Sequence, residues 1–192
     1  MKTQLKESQF PLSRKDVLKI IDRTENFRDR LIIKLLAYTG IRRDEVINIT
    51  YSDVNFKENL LRIVGKGQKV RYVPITGDVK TDILKQFDGR KRGFLFPAKR
   101  LKRTHLKAEQ INRIVIAAGD RAGVKHPNPD RKQLYPHLFR HTFAHLCRER
   151  GMDWPVLRDL LGHTTVSVTM DQYGRTPLEK IKTDYREVMA FA

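Results

Sequence analysis

Arg42, Lys66, His137, Arg140, His163 and Tyr173 follow one another along the chain in an order that suits phosphodiester cleavage by a tyrosine. Five of the six can hold or protonate phosphate oxygens, and the sixth can form a phosphate ester. A tyrosine hydroxyl ionises only near pH ~10, so as a nucleophile it needs cationic neighbours to stabilise its phenolate. Five candidate neighbours are present.

His137 and Arg140 stand three apart and so share one helix face, where both can point at one phosphate. The planar fork of an arginine can grip two phosphate oxygens, and its charge does not titrate away. Taken alone, the pair reads better as a solvated helix face. His141 and His145 extend His137 into an i, i+4, i+8 ladder, a spacing able to bind zinc. The metalloprotease helix, however, needs a glutamate directly after its first histidine, where this chain has Leu138. No metal and no other cofactor are expected.

Gly40-Ile41-Arg42 puts an arginine on a turn just after a helix, with Glu45 three residues on and able to orient it. Lys66 stands between Gly65 and Gly67, which let a turn lie close to a DNA backbone and leave the ammonium free to protonate a leaving oxygen. His163 follows Gly162 at a helix end. Tyr173 lies ten residues further on, beside Asp171 and Gln172. Each of these residues has an ordinary surface or capping role if read singly, so the set rather than any member carries the argument.

The elements that must position them follow from periodicity. Ser13 can cap a helix carrying Val17, Leu18, Ile20 and Ile21. A second helix is expected from Phe27 to Tyr38, closed by Gly40, and a short third over 43–49. The period then changes to strand-like runs at 60–64 and 70–75, separated by a turn over 65–68, with a third strand at 54–56. Helical spacing returns from Asp78 through Phe87 and again over 107–122. Residues 123–135, with Gly123, Pro127 and Pro129, read as a loop. Further helices are expected over 136–150, 154–161 and 167–173. The tail repeats Leu178, Ile181, Tyr185 and Val188 at helical spacing. The fold class is therefore α+β and mostly α: a helical domain with a small three-stranded antiparallel sheet. The divisions are a polar lead-in over 1–12, a main domain over 13–175 and a tail helix over 176–192.

With 192 residues, 40% of them hydrophobic, the chain fits one domain with a buried core. The 39 Lys and Arg against 22 Asp and Glu leave a formal charge of +17, which favours a polyanionic partner. Ribosomal binding, a membrane surface and simple solubility are the rival readings. No apolar run approaches the length of a membrane span and no signal peptide is visible. Cys147 is the single cysteine, so no intrachain disulfide and no cysteine zinc site is expected. A cytoplasmic setting follows. Residues 90–107 carry eight Lys or Arg and no Asp or Glu. Within that run Arg100, Lys102 and Arg103, together with Lys69 and Arg71 near the hairpin, are the expected DNA-contacting cations.

From about residue 13 to 175 the chain resembles the catalytic domain of the tyrosine recombinase (phage integrase) family. Thr39-Gly40-Ile41-Arg42 with Glu45 is similar to the segment that holds that family's first arginine. Gly65-Lys66-Gly67 is similar to its hairpin lysine, and His137-Leu138-Phe139-Arg140-His141 to its His-x-Leu-Arg-His box, with Phe139 in place of leucine. Leu160-Leu161-Gly162-His163 and Tyr173 complete the match, and none of the six positions is substituted.

The resemblance implies site-specific breakage and rejoining of double-stranded DNA through a 3′-phosphotyrosyl intermediate, without metal or ATP, by a homo-oligomer of two to four copies on DNA. It implies Tyr173 as nucleophile, Arg42 and Arg140 on the non-bridging oxygens and Lys66 as acid to the 5′ oxygen. His137 accepts or places the tyrosine proton, His163 donates to the phosphate, and Glu45 steadies the groups that touch substrate. Family members usually carry an N-terminal helical DNA-binding domain, so this chain is expected to be a fragment or a minimal member. DNA relaxation of the type IB topoisomerase kind, or a non-catalytic DNA-binding module, remain alternatives. The apolar stripe of the tail fits equally a contact with a neighbouring protomer and packing on its own domain.

Overall fold

The computed structural model describes residues 10–98, 104–162 and 176–190, and the backbone but not the side chain of Lys66. Ser13 starts the first helix as its composition demands: its hydroxyl accepts the Asp16 N–H at 3.1 Å, satisfying an otherwise orphaned donor. Helix α1 (Arg14–Asp22) buries Val17, Ile20 and Ile21. Helix α2 (Phe27–Thr39), capped by Asn26 in the same way, is the central element. From Leu31 to Thr39 it is buried except at Lys34, so its apolar face is nearly all round rather than the single stripe its spacing suggests. Lys34 escapes an unpaired burial by reaching Asp78 and Asp82, each at 2.7 Å.

Gly40 closes α2 in the left-handed region at φ 60°. A Cβ there would also run into the Phe143 ring, so glycine is needed both for the turn and for the close approach of the helix that carries His137. After α3 (Arg43–Asn48) come strands β1 (Val54–Asn55), β2 (Leu60–Val64) and β3 (Val70–Pro74) in the antiparallel order β1-β2-β3. The register pairs Leu61 with Val73, Arg62 with Tyr72 and Ile63 with Arg71. Side chains alternate across the pleat, so Leu61, Ile63, Arg71 and Val73 share one face and Arg62 and Tyr72 the other. The hairpin between β2 and β3 closes with the Gly65 N–H donating to the Lys69 carbonyl at 2.8 Å, and Lys66 starts the turn inside it.

Helices α4 (Gly77–Phe87), α5 (Ala108–Ala122), α6 (Pro136–Glu149), α7 (Trp154–Leu161) and α8 (Leu178–Val188) complete the described elements. Helices α1, α4 and α6 pack around α2, while α7 and α8 lie against β3. One hydrophobic cluster runs through all eight helices and the sheet. The α+β, mostly α architecture with a three-stranded sheet is as the sequence implies. The expected helix at 167–173 lies outside the described residues. Among those described, no helix is long and apolar enough to cross a membrane.

Leu12, assigned by its sequence to the lead-in, is 1% exposed and part of the core, and its N–H donates to the Thr142 hydroxyl at 3.0 Å. The tail helix packs on its own domain. Ile181, Tyr185 and Val188 are buried, the Tyr185 hydroxyl donates to the Tyr38 carbonyl at 3.0 Å, and Lys182 bonds Glu58 at 2.6 Å.

Candidate active site

Glu45 organises the site. At the third position of α3 it reaches back to accept the Arg42 backbone N–H at 2.7 Å, and its Oε1 accepts from Arg42 Nη1 at 3.2 Å. The carboxylate is 8% exposed, and Arg71 closes on it from β3 with two parallel bonds of 2.8 Å each. Burial would raise the Glu45 pKa, but the bonds and charge of Arg71 and then Arg42 outweigh it and hold the carboxyl below its usual range.

Arg140, 3% exposed on α6, donates from Nη1 to the Gly40 carbonyl at 2.7 Å and from Nη2 to the Leu161 carbonyl at 2.6 Å. It thereby joins the turn two residues before Arg42 to the helix end two residues before His163. Burial first, then the neighbouring Arg42 and Arg71 guanidiniums, draw its pKa down to about 9, against the pull of Glu45. Three guanidiniums, those of Arg42, Arg71 and Arg140, thus stand around one carboxylate. The three leave a surplus of positive charge in a largely buried place.

His137 lies one turn before Arg140 and is exposed, its ring meeting that of His141 edge to face with centroids 4.4 Å apart. His145 departs from this pair and contacts Glu149 at 3.1 Å. Lys69 is exposed beside the hairpin. Arg71, expected to face DNA, is instead turned inward. Its side chain is 11% exposed, and its Nε is also taken, by the Leu160 carbonyl at 2.8 Å. The alternation of β3 carried this signal, since Arg71 falls in phase with the buried Val73 and Ile75. Arg100, Lys102, Arg103, His163 and Tyr173 lie outside the described residues.

The model of the phage integrase family matches residues 11–177. The chain belongs to the phage integrase family. Its similarity extends to tyrosine recombinase XerA of Pyrococcus furiosus, 35% identical over 177 residues, covering 89% of this chain and 59% of that protein. Tyrosine recombinase XerD of Haemophilus ducreyi is 32% identical over 199 residues, covering 94% and 64%. The chain thus spans about three fifths of the length of these recombinases. Among solved structures, a XerA recombinase superposes with a TM-score of 0.70 at 27% identity, covering 92% of this chain and 64% of that one. The integrase of mycobacterium phage Brujita reaches 0.76 at 23% identity, covering 95% and 58%, a likeness of fold. In this family frame Arg42, Glu45 and Arg140 occupy the turn, the helix start and the box that the sequence singled out.

Proposed function

We propose that the chain breaks and rejoins double-stranded DNA at specific sites through a covalent 3′-phosphotyrosyl intermediate. The observation that carries this reading is that the Arg42 and Arg140 guanidiniums lie near enough to act on one another beside the buried Glu45, which concentrates positive charge where a phosphate could be held. Tyr173 Oη attacks the scissile phosphorus and the bond to the 5′ oxygen breaks. The tyrosine proton passes to His137, and Lys66 supplies a proton to the departing 5′ oxygen. Arg42 and Arg140 carry the charge that builds on the non-bridging oxygens, with His163 as a further donor. Reversal by an incoming 5′ hydroxyl rejoins the strand, since the phosphotyrosyl ester conserves the phosphodiester's energy and no metal or nucleotide is consumed. Two to four copies acting on paired sites make strand exchange out of paired cleavages. Lys69 and the cations at 100–103 hold the flanking phosphates.

The test is covalent capture. A library of nicked duplexes with a randomised core is incubated with the protein, and protein-linked DNA is isolated after denaturation and sequenced. An adduct that forms with the wild type and vanishes in Tyr173→Phe, with duplex binding kept, is expected. An adduct that survives in Tyr173→Phe removes the nucleophile assignment. Binding without any adduct leaves a DNA-binding module.

A further inference from the structure

Resting on that cleavage reading, we infer that Arg71 is a positioning residue, which aligns Arg42 and the turn leading into His163 through Glu45 and the Leu160 carbonyl and makes no contact with DNA. One guanidinium joins three segments that are remote in sequence. Nη1 and Nη2 take both oxygens of Glu45, the carboxylate that also holds the Arg42 backbone and side chain. Nε takes the Leu160 carbonyl, at the end of the helix that delivers His163. Gly162, at φ 63°, lies flat on the same side chain: a Cβ there would stand 3.0 Å from Arg71 Cδ and 3.1 Å from Nη1. Glycine at 162 is therefore favoured by its left-handed backbone, and a side chain there would press the Arg71 guanidinium aside by a few tenths of an ångström. Gly65, just before Lys66, also borders the group, its Cβ position 3.6 Å from Nη1.

The chemistry of this junction suits only arginine. Its fork makes the two parallel bonds to a carboxylate while the third nitrogen, on the same rigid plane, serves a carbonyl. A lysine ammonium keeps the charge beside Glu45 but cannot hold both oxygens and Leu160 at once. With the side chain 11% exposed, phosphate has no comparable access to it. A shift of about 1 Å in the groups that touch substrate costs on the order of 10²-fold in rate, and Arg71 is the strut that holds the Glu45 carboxylate bonded to Arg42 and the helix end that precedes His163.

The experiment uses the duplex recovered by covalent capture and compares wild type, Arg71→Ala, Arg71→Lys, Glu45→Gln and the double variant Arg71→Ala with Glu45→Gln. Single-turnover adduct formation, duplex affinity across a salt series and thermal unfolding are measured. Arg71→Ala should slow adduct formation by about 10²-fold, with affinity and salt slope unchanged, and Arg71→Lys should recover part of the rate. In the Glu45→Gln background the further cost of Arg71→Ala should shrink to a few-fold at most, because the two act as one unit.

Adduct formation by a folded Arg71→Ala within about threefold of wild type overturns the role, taking ~0.6 kcal/mol as the threshold of a meaningful rate effect. So does a salt slope lower by about one, the mark of a lost phosphate contact. If Arg71→Ala does not fold, Arg71→Lys decides: slowed cleavage at unchanged affinity supports the role, and a wild-type rate overturns it. Failure of both to fold assigns Arg71 to stability alone and also overturns it. A wild type that forms no adduct removes the cleavage reading and this role together, and is thereby told apart from an adduct-forming wild type indifferent to Arg71.

Discussion

Arg140 Nη2 donates to the Leu161 carbonyl at 2.6 Å, so the buried cation of the candidate site is also the fastener of a helix end. A helix leaves its last carbonyls without internal partners. Here two such orphaned groups, from the end of α7 and from the turn closing α2, are satisfied by one guanidinium.

Arg140 substitutions should therefore lose rate and stability together. Arg140→Ala strands the Gly40 and Leu161 carbonyls, and each buried group left unpaired costs about 1–3 kcal/mol. Loss of the charge clamp should slow adduct formation by roughly 10²–10⁵-fold. Arg140→Lys should restore more of the melting temperature than of the rate, because one ammonium cannot serve two carbonyls and a phosphate. Paired thermal and single-turnover measurements read this, and a variant with the rate of wild type removes Arg140 from the pocket's work.

Gly40→Ala should destabilise on two independent grounds. A side chain in the left-handed region costs about 1–2 kcal/mol, and displacing the Phe143 ring adds about 1–3 kcal/mol of overpacking. Adding Phe143→Leu should relieve only the second part. Chemical denaturation of the single and double variants checks the split, and full recovery in the double variant would deny the backbone term.

Glu45 sets an acid limb. Its folded pKa is depressed below the ordinary value of 4.5. Its contribution to stability is thus present above that value and lost as the pH falls through the lower folded one. The stability gap between wild type and Glu45→Gln should be constant from neutrality down to 4.5 and narrow below it. Urea unfolding at stepped pH measures the gap, and a gap independent of acid would mean the carboxylate is not held by its arginines.

The tail helix should behave as part of the domain that bears it. Tyr185→Phe removes the hydrogen bond to the Tyr38 carbonyl, at about 0.5–1.5 kcal/mol, and Ile181→Ala opens a void worth about 2–5 kcal/mol. Both losses should be the same at low and high protein concentration. Unfolding that shifts with concentration would instead place α8 on a neighbouring copy.

How much of this could be read beforehand depends on the distance over which each decision is made. Ser13 capping α1, Gly40 ending α2, the hairpin around Lys66, the Arg42–Glu45 pair and the shared face of His137 and Arg140 are all local. Their causes lie within four residues, where helix and strand periods make neighbours of chosen positions, so the amino-acid order alone determined them. The three-stranded sheet and the mostly helical class followed from the same periods. The partners of Arg71 and Arg140 are of another kind. Arg71 meets Glu45 across 26 residues and Leu160 across 89, and Arg140 meets Gly40 across 100. A guanidinium suits a phosphate or a buried carboxylate equally well, and only the packing of β3 against α3 and α7 decides which it meets. The tail obeys the same logic. An apolar stripe at Ile181, Tyr185 and Val188 demands a cover, but the hydrophobic effect has no direction. It was the tertiary fold, bringing the Tyr38 carbonyl to the Tyr185 hydroxyl, that decided the cover is the chain's own core.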